Sequence, residues 1–105
     1  MKHLKTKAEF QTEVLDVKNT PVLVDFFAVW CGPCQMMEPI LVEFEQKNKK
    51  VAVVKVNVDE AQELASQYNV MSIPTMFIFK DGEVVKQMVG VQTVESLEKD
   101  TASLI

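Results

Sequence analysis

Hydrophobic positions along the chain recur with two periods, and the switches between them mark out the elements. "Thr6-Lys-Ala-Glu9" has the residues of a capping box, and Phe10, Val14 and Val17 follow at helical spacing, which predicts a first helix over about 7–18. The residues before it leave room for a short strand. "VLVDFFAV", residues 22–29, is almost continuously apolar and rich in branched and aromatic side chains, the pattern of a strand covered on both faces. Asp25 alone breaks it.

Cys34, Met37, Leu41 and Phe44 then recur at three- and four-residue spacing, with Ile40 beside them, and predict the buried stripe of a helix running to about Asn48. Pro33 suits the first turn, where the N–H it lacks would have no partner, whereas Pro39 falls mid-helix and predicts a kink. In "VAVVKVNV", 51–58, Ala52, Val54, Val56 and Val58 share one strand face, while the other begins apolar and ends in Lys55 and Asn57. Asp59 is placed to cap a third helix with Ala61, Leu64, Ala65 and Tyr68 as its stripe. "TMFIF" and "VVKQMV" flank Asp81-Gly82, a hairpin signal, and Thr93 opens a last helix along Val94, Leu97, Thr101 and Leu104. The order is β-α-β-α-β-α-β-β-α without repeats or linkers, which predicts an α/β fold, a mixed sheet with helices on both faces.

Composition narrows the classes of function. At 105 residues the chain reads as one domain, 1–105, able to build a core without cross-links. Its net charge of −4, with "KNKK" at 47–50 as the only basic cluster, argues against nucleic acid and anionic membrane as partners. That cluster reads as a solvated helix end where cations offset the macrodipole. No run is long enough to span a bilayer, and "MKHLKTKAEF" lacks the apolar stretch of a secretory signal. The expectation is a cytoplasmic protein, in a compartment that keeps thiols reduced.

The only two cysteines, Cys31 and Cys34, bracket Gly32 and Pro33 where the strand pattern gives way to the helix pattern. A structural zinc site needs about four thiolate or imidazole ligands, and the chain adds only His3, far away in sequence. Haem attachment is excluded because Gln35, not histidine, follows Cys34. A redox pair uses every feature. A cysteine at a helix N-terminus has its thiolate stabilised by unpaired N–H groups and the positive end of the dipole. Cys31 takes that place as nucleophile, and Cys34, one turn on and facing the core, can attack the resulting mixed disulfide. Asp25 admits two readings. It can form a structural ion pair, with Lys55 as partner, or, with its pKa raised by desolvation, it can accept the proton of Cys34; the pair would not exclude the transfer.

Together "VDFFAVWCGPC", Pro39, Lys55, "SIPT" at 72–75, "KDGE" at 80–83 and "VG" at 89–90 resemble the thioredoxin family over essentially the whole chain. The resemblance implies a thioredoxin-like fold with five strands in the order 1-3-2-4-5 and four helices, and a cis peptide between Ile73 and Pro74. It also implies a shallow substrate groove formed by Trp30, Ile73, Pro74 and Gly90, with Trp30, Gly32, Pro33 and Lys55 tuning the active-site loop. Gln35 departs from the family's usual lysine and Phe27 from a frequent tryptophan. Met36 and Met71 offer an adaptable apolar rim.

The reading is therefore a protein disulfide reductase, an enzyme acting in electron transport and cell redox homeostasis, and expected to be a monomer. It would bind no metal or other cofactor. With glycines only at 32, 82 and 90 it has no dinucleotide fingerprint, so electrons must come from a partner, by resemblance a thioredoxin reductase. Two other readings stay open: a disulfide oxidase or isomerase on the same fold, and a binding or regulatory subunit. The Gly-Pro dipeptide resembles the reducing members.

Overall fold

The computed structural model describes residues 1–105. Five strands form one sheet, β1 (Lys2–Leu4), β2 (Val22–Phe27), β3 (Ala52–Asn57), β4 (Thr75–Lys80) and β5 (Glu83–Val89), in the order β1-β3-β2-β4-β5. β1, β3 and β2 are parallel, β4 runs antiparallel to β2, and β5 antiparallel to β4. Four helices complete the fold: α1 (Lys7–Phe10), α2 (Gly32–Lys47), α3 (Gln62–Gln67) and α4 (Val94–Ala102). The strand order and cis Ile73–Pro74 implied by the resemblance are both present.

Alternation along the three central strands, expected from the pattern only for β3, sorts the core into two halves. Val22, Val24 and Phe26 of β2 join Val54 and Val56 of β3, Phe77 and Phe79 of β4, and Phe10, Val14, Leu64 and Ala65. Leu23, Val53, Met76 and Ile78 point the other way, onto Met37, Leu41 and Phe44 of α2 and Leu97 of α4. All six residues of β2 are buried, Asp25 included, because helices cover both faces of this central strand.

Several boundaries differ from the sequence pattern. The capping box at Thr6 and Glu9 forms, yet the first helix does not reach residue 18: after Phe10 it widens into a π-helical turn, Gln11–Leu15, closed by Asp16 N–H on the Gln11 carbonyl at 2.8 Å. The wider turn ends the helix before Val17, which still packs against the core from outside it. β2 stops at Phe27 because Ala28–Trp30 must turn to deliver Cys31 to α2. α2 runs unbroken through Pro39, which lies on its exposed side. Asp59 does not cap α3: the cap position is Ala61, and the Asn57 side chain receives the N–H of Asp59 at 2.8 Å and that of Glu60 at 3.3 Å. At the β4–β5 hairpin, Gly82 has φ +83° and an added Cβ would lie 2.7 Å from the Leu15 carbonyl oxygen, so glycine is required there by both conformation and space.

Candidate active site

Cys31 is the N-cap of α2, in extended conformation, and its Sγ accepts the N–H of Cys34 at 3.2 Å. The two are joined as a disulfide with Cα atoms 5.2 Å apart, a usual separation for such a bond. Each cysteine is 5% exposed. Exposure therefore does not distinguish them; backbone position does. Cys31 precedes the helix and faces its free N–H groups, whereas Cys34 lies on the inward stripe with Met37. Gly32 and Pro33 are exposed on the first turn, and a Cβ at Gly32 would meet nothing, so space alone does not demand glycine there.

Phe27, Ala28 and the two cysteines form one small buried cluster, with Val58 and Ile73 packed against it. The Ile73 carbonyl oxygen lies 3.8 Å from Cys31 Sγ. Pro74 is buried and its carbonyl accepts the N–H of Gly90 at 2.8 Å, where Gly90 has φ +90°. Ile73, Pro74 and Gly90 are thus tied together beside Cys31. Trp30 is held from another side: its indole N–H donates to Asp59 at 2.8 Å, while the residue stays 69% exposed beside Cys31. Met36 and Met71 are also exposed. Gln35, standing for the family's usual lysine, donates to the Val29 carbonyl at 3.0 Å and braces the turn ahead of Cys31.

The polar end of this face differs from expectation. Register puts Asp25 beside Lys55, but the Lys55 ammonium pairs with Glu38 of α2 and sits 4.2 Å from the centre of the Phe27 ring. Of the two readings of Asp25, the ion pair with Lys55 does not form. Asp25 is 1% exposed and its Oδ1 has no hydrogen-bond partner. Burial pushes its pKa up to about 7; Lys55 opposes that rise and Glu38 adds to it. A pocket of about 210 Å³ opens between Phe27, Val29, Cys34, Gln35, Glu38 and Lys55. Glu38 and Asp59 are the site residues that sequence reasoning missed. The signal for Glu38 was its place one turn after Cys34, beside the buried stripe; Asp59 carried none beyond its cap-like position.

The thioredoxin family model matches residues 1–103. A thioredoxin of Alicyclobacillus acidocaldarius is 50% identical over 101 residues, 95% of this chain and 94% of that one. A bifunctional thioredoxin reductase/thioredoxin of Mycobacterium leprae is 44% identical over 102 residues, 95% of this chain and 22% of that protein. Among solved structures, the oxidised form of mitochondrial thioredoxin 3 from Saccharomyces cerevisiae superposes with a TM-score of 0.88 at 32% identity, covering 98% of this chain and 94% of that one. With a cysteine pair at the head of a helix, in a sheet of this order, and likeness over nearly its whole length, the chain belongs to the thioredoxin family of protein disulfide oxidoreductases.

Proposed function

We propose that this protein disulfide reductase works as a single domain, 1–105, with Cys31 as nucleophile, Cys34 as resolving thiol and Asp25 as the proton acceptor for Cys34. The observation that carries the assignment is the cap geometry, in which Cys31 Sγ receives a helix N–H while Cys34 is built into the helix. The Cys31 thiolate attacks a substrate disulfide and one substrate sulfur leaves as thiolate. Cys34 then gives its proton to Asp25 and attacks Cys31 Sγ, and the second substrate sulfur leaves. Two electrons have passed to the substrate, and the Cys31–Cys34 disulfide remains. An Asp25 pKa of about 7 suits this transfer, because the group can both take and release a proton near neutrality.

Disulfide-bearing proteins would dock along Trp30, Ile73, Pro74 and Gly90, with Met36 and Met71 at the rim. Gly32, Pro33 and Lys55 tune the loop. The electrons come from a partner reductase, a link supported by the M. leprae relative whose name joins the two activities. The protein acts as a monomeric electron carrier in the cytoplasm and needs no bound cofactor; no helix is long and apolar enough to cross a membrane. The test is coupled turnover of a protein disulfide with a thioredoxin reductase and its nicotinamide donor. Turnover that requires both cysteines is expected; no acceleration with several such reductases would overturn the reading in favour of a binding module.

A further inference from the structure

Glu38 lies four residues after Cys34 on α2, with its side chain 45% exposed at the mouth of the pocket beside that cysteine. Its carboxylate takes the ammonium of Lys55, whose side chain is only 8% exposed and is held from a second side by the Phe27 ring. A lysine on the strand next to Asp25, in register with it, is the obvious counter-ion for that buried carboxyl, yet Asp25 Oδ1 is unpartnered. The elements around Asp25 offer few other charges. On β4 its register partner is Met76, which is uncharged. β1 brings His3, in register with Lys55 and edge-on to Phe27 at 5.7 Å between centroids. α2 brings Cys34 and Glu38.

We propose that Glu38 is a positioning residue for the resolving step: by holding the Lys55 ammonium at the pocket mouth, it leaves the buried Asp25 carboxyl without a counter-ion and free to exchange a proton with Cys34. This rests on the role given to Asp25 above. A carboxylate paired with lysine stays ionised through neutral pH and is a weak base; one whose lysine is engaged elsewhere is a stronger base. The directions of the two charges agree, Lys55 lowering and Glu38 raising the Asp25 pKa.

The test is the titration of the Asp25 side-chain carboxyl, followed by its carbon-13 shift in the oxidised protein, where no thiol titrates and His3 is read separately from its ring signals. In Glu38→Gln, the freed Lys55 is expected to lower the Asp25 midpoint by about one pH unit, roughly tenfold in acid constant. Glu43→Gln removes the same charge from the same helix, at an exposed pair with Lys47, and should leave the midpoint close to the parent's. In the reduced protein, the pH profile of mixed-disulfide resolution is expected to move down with the titration. An Asp25 titration in Glu38→Gln that overlays the parent, or an equal shift in Glu43→Gln, overturns the role of Glu38. If the titration shifts but Asp25→Asn resolves mixed disulfides with the parent's pH profile, it is instead the assignment of Asp25 that fails, and the catalytic part of the proposal with it.

Discussion

The two faces of the sheet are built from the same three central strands and have opposite characters. The face under α1 and α3 holds no buried charge and is crowded with rings: Phe10, Phe26, Phe77 and Phe79 meet one another and Tyr68 with centroids 5.4–6.3 Å apart. The face under α2 and α4 starts just as apolar, with Leu23, Val53 and Ile78, and one pleat further along β2 and β3 it turns into Asp25 and Lys55. Aromatic packing on the first face contributes stability through area and ring geometry. The second face gives up part of that contribution to hold a carboxyl with an unpartnered oxygen and a lysine engaged by Glu38. A buried carboxyl is tolerable at the site because the opposite face of the same strands is so fully packed.

The contrast is most easily broken at the cysteines. Cys31→Ser is expected to lower disulfide turnover on the order of a thousandfold or more while leaving the fold intact, since it removes the attacking atom. Cys34→Ser should instead accumulate covalent mixed disulfides, visible on non-reducing gels, because attack proceeds and resolution cannot. Equal trapping by both variants would contradict the assigned roles.

On the aromatic face the expected loss is of stability alone. Phe26→Ala empties a fully buried ring position and should cost about 3–5 kcal/mol in a denaturant titration, with turnover per folded molecule unchanged. A parallel fall in turnover would mean that the two faces are not separable.

Asp25→Asn should act in the opposite sense on stability. The parent's folded-state pKa, about 7, lies above the unfolded carboxylate value, so between roughly pH 4 and 7 the folded chain keeps a proton that the unfolded chain has lost. Parental stability then falls as pH rises through that window and is level above it, the drop being on the order of 4 kcal/mol at most. Asparagine does not titrate. The variant should therefore gain on the parent progressively from pH 4 to 7 and, once the pH-independent cost of burying an amide is counted, end about 2 kcal/mol more stable near pH 7, while resolving mixed disulfides more slowly. A stability difference constant with pH would show that Asp25 is not the buried titrating group.

The smallest effect sharpens the assignment of direction. The ring closed by Cys31 and Cys34 holds four residues, for which loss of chain entropy in the unfolded state predicts an oxidised form more stable by about 2 kcal/mol. A reductant requires that sign, because a fold that favours its disulfide over the unfolded chain's gives electrons away. A reduced form the more stable by about 1 kcal/mol, at equal denaturant slopes, would favour the oxidase reading.

Local pattern was enough to reveal most of the architecture. The unbroken apolar run of β2 marked it as covered on both faces, alternation in β3 assigned its side chains to faces, the stripe from Cys34 to Phe44 oriented α2, and the breaks at Gly32-Pro33 and Asp81-Gly82 located the cysteine turn and the hairpin. These features depend on the repeat of the chain itself, 3.6 residues or 2, and so are written in consecutive residues. The strand order and the groove needed a family resemblance, since periodicity does not say which strands are neighbours. What only the tertiary structure decided was the choice among competing partners. Lys55 is in register with Asp25 but bonds Glu38, 17 residues away, and Asp59, positioned like a helix cap, takes the indole of Trp30, 29 residues away. The π-helical turn at Gln11–Leu15 is likewise set against packing from outside the segment, around Phe10 and Val14. Ion pairs and side-chain hydrogen bonds fall off steeply with distance and angle, so their partners are settled by how separate elements pack, at a precision that no pattern along the chain encodes.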